Sequence, residues 1–355
     1  MIHLVPGPVE PTANTLKAYA SFLGSPRLQT AFWQDYSALA NHLQTICQTT
    51  NTMAIMTGEG MLGVRAAMKS AITEGNRVLC VVNGLYGEGM AEIAEGLGAE
   101  VTRVTFSDTE FDRGLLMQAI DQAQPDSICC VHCDTPTGLL NPLEQIASLK
   151  KQFGVGLLIV DAVSSIGATP VNVDANGVDI LIGAGPKALG GNTDVSFVAV
   201  SPAAWHNIIR RDYRLGYEAL LPFKDVQNAE QLPYLPHWPG IAALRSACED
   251  IINTGLNKTY ERHLIARDFV CTELERCGFK LFQPERALRS PSVTAAYLPH
   301  GMSWQDFNTA LCKKGVQVGR GVGEHANTLF RIGHMGPQTD MKRLKKAMKI
   351  IRTCL

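Results

Sequence analysis

The sequence predicts an α/β fold, with a largely parallel sheet covered by helices and then a smaller α+β domain. Three observations carry this. Short apolar runs alternate with amphipathic stretches from about residue 52 to residue 200. The runs are continuous rather than alternating, so both faces of each strand are buried, as in parallel sheets sandwiched by helices. At 355 residues the chain exceeds what one small core organises, and two domains are expected.

Each element has a local reason. Residues 78–82, 128–131, 157–160, 178–182 and 195–200 are rich in Val, Ile and Leu, as buried strands are. Between them, residues 60–72, 87–97, 115–123 and 142–153 place apolar side chains at helical spacing. Residues 12–48 also look helical. Residues 210–240 lose periodicity and gain aromatics and prolines, and a loop of ~30 residues is long enough to suggest function. A helix over 241–253 follows. The last third offers strands at 293–298, 316–320 and 328–332 and helices at 304–314 and 340–353. The expected division is an N-terminal arm over 1–13, a large domain over 14–256 and a small domain over 257–355. No internal repeat, low-complexity tract or heptad run interrupts it.

Composition narrows the function. Lys and Arg number 32 against 33 Asp and Glu, a net charge of −1, so nothing favours nucleic acid or an anionic membrane. No apolar run nears the ~18–20 residues of a membrane span. The start, Met1-Ile2-His3-Leu4-Val5-Pro6-Gly7-Pro8, lacks a signal peptide's basic region and apolar core. Ten cysteines without paired Cys-x-x-Cys motifs suggest reduced thiols, no metal site and a cytoplasmic protein.

The chemistry collects at strand ends. The run Val178-Asp179-Ile180-Leu181-Ile182 passes into Gly183-Ala184-Gly185-Pro186, and that turn delivers Lys187. A lysine at the mouth of a sheet loses solvation, drops its pKa and becomes a nucleophilic amine able to form a Schiff base. The run Leu157-Leu158-Ile159-Val160 ends in Asp161. In an open α/β sheet both ends face one crevice. A Schiff-base lysine and an aspartate for a pyridinium nitrogen are the protein's share of pyridoxal phosphate chemistry. Alone, each residue reads as well as a solvated turn lysine or a helix cap.

Gly58-Glu59-Gly60-Met61-Leu62-Gly63 matches G-x-G-x-x-G and admits a dinucleotide-dependent oxidoreductase. The next strand ends at Asn83, however, where a ribose-binding acid is expected. A glycine turn into a helix also suits a single phosphate group. Tyr86, after Asn83-Gly84-Leu85, suits stacking on an aromatic ring or a place in the core. His132-Cys133-Asp134-Thr135-Pro136-Thr137-Gly138 offers hydroxyls at the same edge, for a cofactor oxygen or for turn caps. Arg331, in Phe330-Arg331-Ile332-Gly333-His334, needs a partner, either a substrate carboxylate or an internal ion pair.

Together these segments resemble the class V, fold type I, pyridoxal-phosphate aminotransferases. The similar branch is that of the alanine–glyoxylate and serine–pyruvate aminotransferases. The resemblance runs from Pro6-Gly7-Pro8 through Gly58–Gly63, Asn83–Gly87, His132–Gly138, Asn141-Pro142-Leu143, Val160–Ser165 and Lys187 to Phe330–Gly336. Gly58-Glu59, Asp134-Thr135-Pro136 and Gly84-Leu85-Tyr86-Gly87 look similar to pyridoxamine–pyruvate aminotransferase and its relatives.

The resemblance implies a mostly parallel seven-stranded sheet, a homodimer with shared active sites, and the cofactor pyridoxal 5'-phosphate. It implies ping-pong transfer from a small amino donor to a 2-oxo acid, pyruvate or glyoxylate. Lys187 would carry the Schiff base, Asp161 would hold the pyridine nitrogen, and Tyr86 and Val163 would flank the ring. Thr135 would bond near the phenolic oxygen. Glu59, Gly60 and Met61 would form the phosphate turn. Tyr234 and His237 would reach the partner's phosphate. Arg331 would take the substrate carboxylate, with Gly7 of the arm beside it.

The chain departs from the family's pattern at the phosphate. Glu59 and Met61 stand where a hydroxyl is usual, and His237 stands where Thr is usual. Either Glu59 points away and a cationic His237 compensates, or phosphate binding is weak and an unphosphorylated vitamer is a substrate. Cysteine desulfuration needs a cysteine on a mobile loop, and Cys312 falls in a helical pattern. A pyridoxal-binding protein with a degenerate site is the remaining alternative.

Overall fold

The computed structural model describes residues 1–21, 23–106 and 111–354. Strands β1 (Ile2–Leu4), β2 (Thr52–Thr57), β3 (Arg77–Val81), β4 (Glu100–Val104) and β5 (Ser127–Val131) come first. The hairpin β6 (Cys133–Asp134) and β7 (Leu139–Leu140) follows, then β8 (Leu157–Asp161), β9 (Ile180–Ala184) and β10 (Val195–Val200). The last strands are β11 (Val293–Tyr297), β12 (Val316–Arg320) and β13 (Leu329–Gly333).

The helices of the first half are α1 (Ala13–Tyr19), α2 (Thr30–Cys47), α3 (Gly60–Ala71), α4 (Leu85–Gly96), α5 (Arg113–Ala123) and α6 (Leu143–Phe153). Those of the second are α7 (Pro202–Arg211), α8 (Val226–Ala229), α9 (Trp238–Thr254), α10 (Leu256–Arg276), α11 (Trp304–Lys313) and α12 (Met341–Arg352). Asp112, Ser201, Ser303 and Asp340 cap α5, α7, α11 and α12 by accepting backbone N–H groups, and Gly154 ends α6 in a left-handed turn.

The expected seven-stranded sheet is present, in the order β2-β10-β9-β8-β5-β3-β4. Pairing is parallel throughout except at β10, which runs against both β9 and β2. Strands β5, β8, β9 and β10 are buried at every residue, which is why they read as unbroken apolar runs. The four-stranded sheet, β1-β12-β13-β11, recruits its first strand from the chain's N-terminus, parallel to β12.

Three departures from the sequence reading have local causes. The strand expected at 178–182 begins at Ile180 because Asp179 is a staple. Its carboxylate accepts from Leu158 N (2.8 Å) and Lys150 Nζ (2.7 Å), and its carbonyl accepts from Ser201 N (2.8 Å). The helix expected from 241 begins at Trp238, whose Nε1 donates to Asp35 (2.7 Å). The stretch 210–240 is anchored, not open, because Leu221, Phe223 and Val226 are buried on short helical turns.

Gly183 in β9 lies opposite Phe197 in β10. A Cβ there would fall within the buried Phe197 ring, so the ring lies across bare backbone. Gly183→Ala should lower stability by about 1–3 kcal/mol through overpacking. Gly89, in α4, has open space around its would-be Cβ, and Gly89→Ala should add about 0.5–1 kcal/mol. Urea midpoints of the two variants should move in opposite directions; equal shifts would contradict this packing.

Candidate active site

The C-terminal ends of β3, β5, β8 and β9 open on one crevice, as parallel strands dictate. Gly185 N donates to Val195 O (3.0 Å) and Gly191 N to Gly185 O (2.8 Å), folding the loop after β9 back on itself. Lys187 projects from that loop. Its Nζ lies 3.3 Å from Ser164 Oγ and 3.4 Å from Thr135 Oγ1. Burial pulls its pKa down from 10.5 to about 8, and Arg331 adds to this while Cys133, Asp161 and Asp134 oppose it.

Asp161 ends β8 and is 7% exposed. Its Oδ1 accepts from Val163 N (2.9 Å). Burial raises its pKa to about 6, with the Val163 N–H and Lys187 pulling the other way. Glu59, Gly60, Met61, Tyr86, Thr135, Asp161, Val163 and Lys187 all line one cavity. Tyr86 comes from the first turn of α4 and Val163 from the turn after Asp161. Val131, Cys133 and Ser164 complete the lining and were not anticipated. Ser164 had a signal, three residues past Asp161 in the same turn. Cys133 reads from sequence only as a small buried thiol.

The other expected site residues lie around this cavity. A Cβ on Gly7 would stand 2.6 Å from Lys187 Cδ, and Gly7 has φ +87°, so the arm crosses the lysine stem where only glycine fits. Val9 N donates to Pro186 O (3.0 Å), and Gln338 Nε2 donates to Val5 O (2.8 Å), fastening the arm at both ends. Arg331, on β13, donates through Nε to Arg320 O (2.8 Å) and through Nη1 to Thr135 O (3.2 Å). Both acceptors are carbonyls. The internal ion pair that the sequence left open is absent among the described residues, and burial lowers the Arg331 pKa.

Glu59 caps α3, its Oε2 accepting from Met61 N (3.0 Å). Tyr234 stacks on Tyr217, ring centroids 4.4 Å apart, outside the cavity. His237 precedes α9. Its N donates to Thr57 Oγ1 (3.0 Å), and its Nδ1 lies 2.8 Å from Asp194 Oδ2. The Asp194 carbonyl in turn accepts from Gly58 N (2.8 Å). An Asp194–His237 pair thus backs the glycine turn. A larger cleft of ≈ 500 Å³ around Arg77, Asp126 and Arg210 lies at the opposite end of the strands, away from Lys187.

The model of the family "Aminotransferase class-V" matches residues 27–350. An uncharacterized aminotransferase of Methanocaldococcus jannaschii is 31% identical over 94% of this chain and 87% of its own length. The crystal structure of pyridoxamine–pyruvate aminotransferase from Mesorhizobium loti superposes with a TM-score of 0.96 at 25% identity, covering 100% of this chain and 91% of that one. That of alanine–glyoxylate aminotransferase from Nostoc sp. gives 0.94 at 27% identity, covering 99% and 94%. No helix among the described residues is long and apolar enough to cross a membrane.

The apoprotein allows a direct check of the desolvated amine. Lys187 is protonated and inert below its pKa and reactive above it. Competitive acetic anhydride labelling, read by peptide mass spectrometry, should give it a midpoint near pH 8. A midpoint near 10.5, the ordinary lysine value, would mean that Nζ is solvated.

Proposed function

The chain belongs to the class V aminotransferases, and from that premise we propose which of its residues carry the reaction. It is a pyridoxal phosphate-dependent transaminase that moves an amino group from a small donor to a 2-oxo acid such as pyruvate or glyoxylate. The observation that carries the assignment of residues is a desolvated lysine amine in one cavity with a buried aspartate. These residues fit the cofactor: Asp161 suits a protonated ring nitrogen, Tyr86 and Val163 bound the same cavity, and Lys187 is the amine. When bound, the cofactor supplies an aldehyde for amines and a pyridinium ring that draws electrons from the substrate α-carbon.

The chain supplies the rest. Asp161 is ionised above about pH 6 and keeps a bonded ring nitrogen protonated. Lys187 Nζ would take the proton from the donor's α-carbon and, in the second half-reaction, deliver one to the α-carbon of the oxo acid. Thr135 offers its hydroxyl to the cofactor's phenolic oxygen. Arg331, committed only to carbonyls, binds the substrate carboxylate, with Gly7 beside it. Gly60 and Met61 head α3, where backbone N–H groups favour anions.

We assign the arm to 1–13, the large domain to 14–256 and the small domain to 257–355, in a cytoplasmic homodimer. Leu28 and Leu215 are each 85% exposed, and Tyr217 and Leu235 each 60%. A second copy covering these surfaces would bring Tyr234 and His237 to its neighbour's site. A fully active monomer in sedimentation would overturn this.

Glu59 supports a second reading. Its carboxylate already takes the Met61 N–H, and Asp194 lies behind the same turn. Two carboxylates disfavour a phosphate dianion. A protonated His237 would be matched by Asp194 within its own chain. An unphosphorylated vitamer would then be the substrate, as the name pyridoxamine–pyruvate aminotransferase says of the Mesorhizobium protein.

Half-reaction spectra test the proposal. Amino donor should bleach the cofactor's near-visible band and pyruvate or glyoxylate should restore it; no change with any donor would overturn it. Arg331→Lys keeps the charge but loses the planar fork, so carboxylate substrates should bind about 1.5–3 kcal/mol more weakly. Unaltered affinity would return Arg331 to a structural role. Glu59→Ser should tighten pyridoxal phosphate binding by about 1–2 kcal/mol by freeing the Met61 N–H and removing a like charge. It should also shift preference from free pyridoxamine to its phosphate ester. Titrations that leave both unchanged would mean Glu59 does not face the phosphate.

A further inference from the structure

We propose that Ser164 is a positioning residue for the Lys187 amine: coupled to Thr135, its hydroxyl holds Nζ in both protonation states. Ser164 is 4% exposed and Thr135 3%. Their hydroxyls form a short hydrogen bond with each other, and each lies within 3.4 Å of Nζ. The three polar atoms make a triangle, and these hydroxyls are the only hydrogen-bond partners of Nζ among the described residues.

The chemistry of a hydroxyl suits this place. It both donates and accepts, and it rotates freely. An ammonium at Nζ donates to both oxygens. A neutral amine presents a lone pair, and one hydroxyl turns its hydrogen toward it while the other keeps the Ser164–Thr135 bond. Neither state needs the backbone to move. A carboxylate in the same place would favour the ammonium alone, and an alanine would leave the amine one partner short.

The surrounding charges do not perform this task. Asp161 from β8, Cys133 and Asp134 from β6, and Arg331 from β13 face Lys187 at longer range. Asp134 Oδ2 accepts from Thr137 N and Oγ1, and its buried Oδ1 makes no hydrogen bond to Nζ or to any other described group. The Cys133 thiol lies 2.9 Å from Ser290 Oγ, and burial keeps it protonated. From the arm, Gly7 lies against the lysine stem and brings no charge.

The first readout needs no cofactor and stands apart from the functional reading. Hydrogen bonds to an ammonium are stronger than those to an amine. Removing one should therefore lower the Lys187 pKa, by about one pH unit. Apoprotein labelling with acetic anhydride should show that drop in Ser164→Ala, and Ser164→Thr should restore the wild-type midpoint. If Ser164→Ala does not fold, Ser164→Cys replaces it, and the weaker acceptor should give a smaller shift in the same downward direction.

The second readout rests on the proposed transamination. With the holoenzyme, Ser164→Ala should slow the half-reaction roughly tenfold, less than the ~10²–10⁴ that a general acid or base itself contributes, because Ser164 acts through Lys187. KM should hold while the isotope effect from an α-deuterated donor rises. An unchanged Lys187 midpoint in the folded variant would overturn the proposal. A wild type that performs no half-reaction would overturn transamination instead, and the apoprotein titration would still decide the role of Ser164.

Discussion

Burying an amine is expensive, and the architecture around Lys187 is organised by that cost. An ammonium moved out of water loses far more than a hydrogen bond returns, so it shifts its pKa or finds a partner. Here it does not sit in a direct ion pair. Two hydroxyls hold it, and the charges of Asp161, Asp134 and Arg331 surround it at longer range. A direct carboxylate would give a more settled lysine and a poorer nucleophile. Lys187 can stay desolvated because its stem is covered by Gly7 and the arm is fastened by Val9 and Gln338. The small sheet thus shields the lysine that the large sheet presents.

The sheet's core and the residues at its strand ends were legible because both are local in the chain. A strand buried on both faces leaves an apolar run, and whatever follows it lies at the crevice. Lys187, Asp161, Tyr86 and Thr135 were found that way, and the cavity gathers them. What could not be read depends on distant partners. The reversed direction of β10 leaves no mark in composition. Strand β4 is half exposed at the edge of the sheet, so its pattern is diluted by Glu100 and Arg103. Helix α10, 21 residues long, carries too many charges to reveal its apolar stripe. Ser164 matters only once Thr135, 29 positions earlier, is beside it. Likewise, no local pattern couples His237 to Asp194.

The glycine turn shows how side chains modify a site that the fold supplies. The glycine turn and helix α3 have the form of an anion site, with backbone N–H groups at a helix N-terminus. Glu59 fills part of that role with its own carboxylate. Lys187 brings an amine into the cavity, whereas the Met61 N–H of the glycine turn is already taken by Glu59. The charges that bear on the vitamer, those of Glu59 and Asp194, lie on side chains added to the scaffold.

The central claim is that Lys187, and no other lysine, is the covalent partner of the cofactor. The direct measurement is borohydride reduction of the protein loaded with pyridoxal phosphate, followed by proteolysis and mass spectrometry. The account predicts one reduced cofactor adduct, on the peptide that carries Lys187, with loss of the near-visible band. A stable adduct on a different lysine, or reduction that leaves every lysine unmodified, would contradict it.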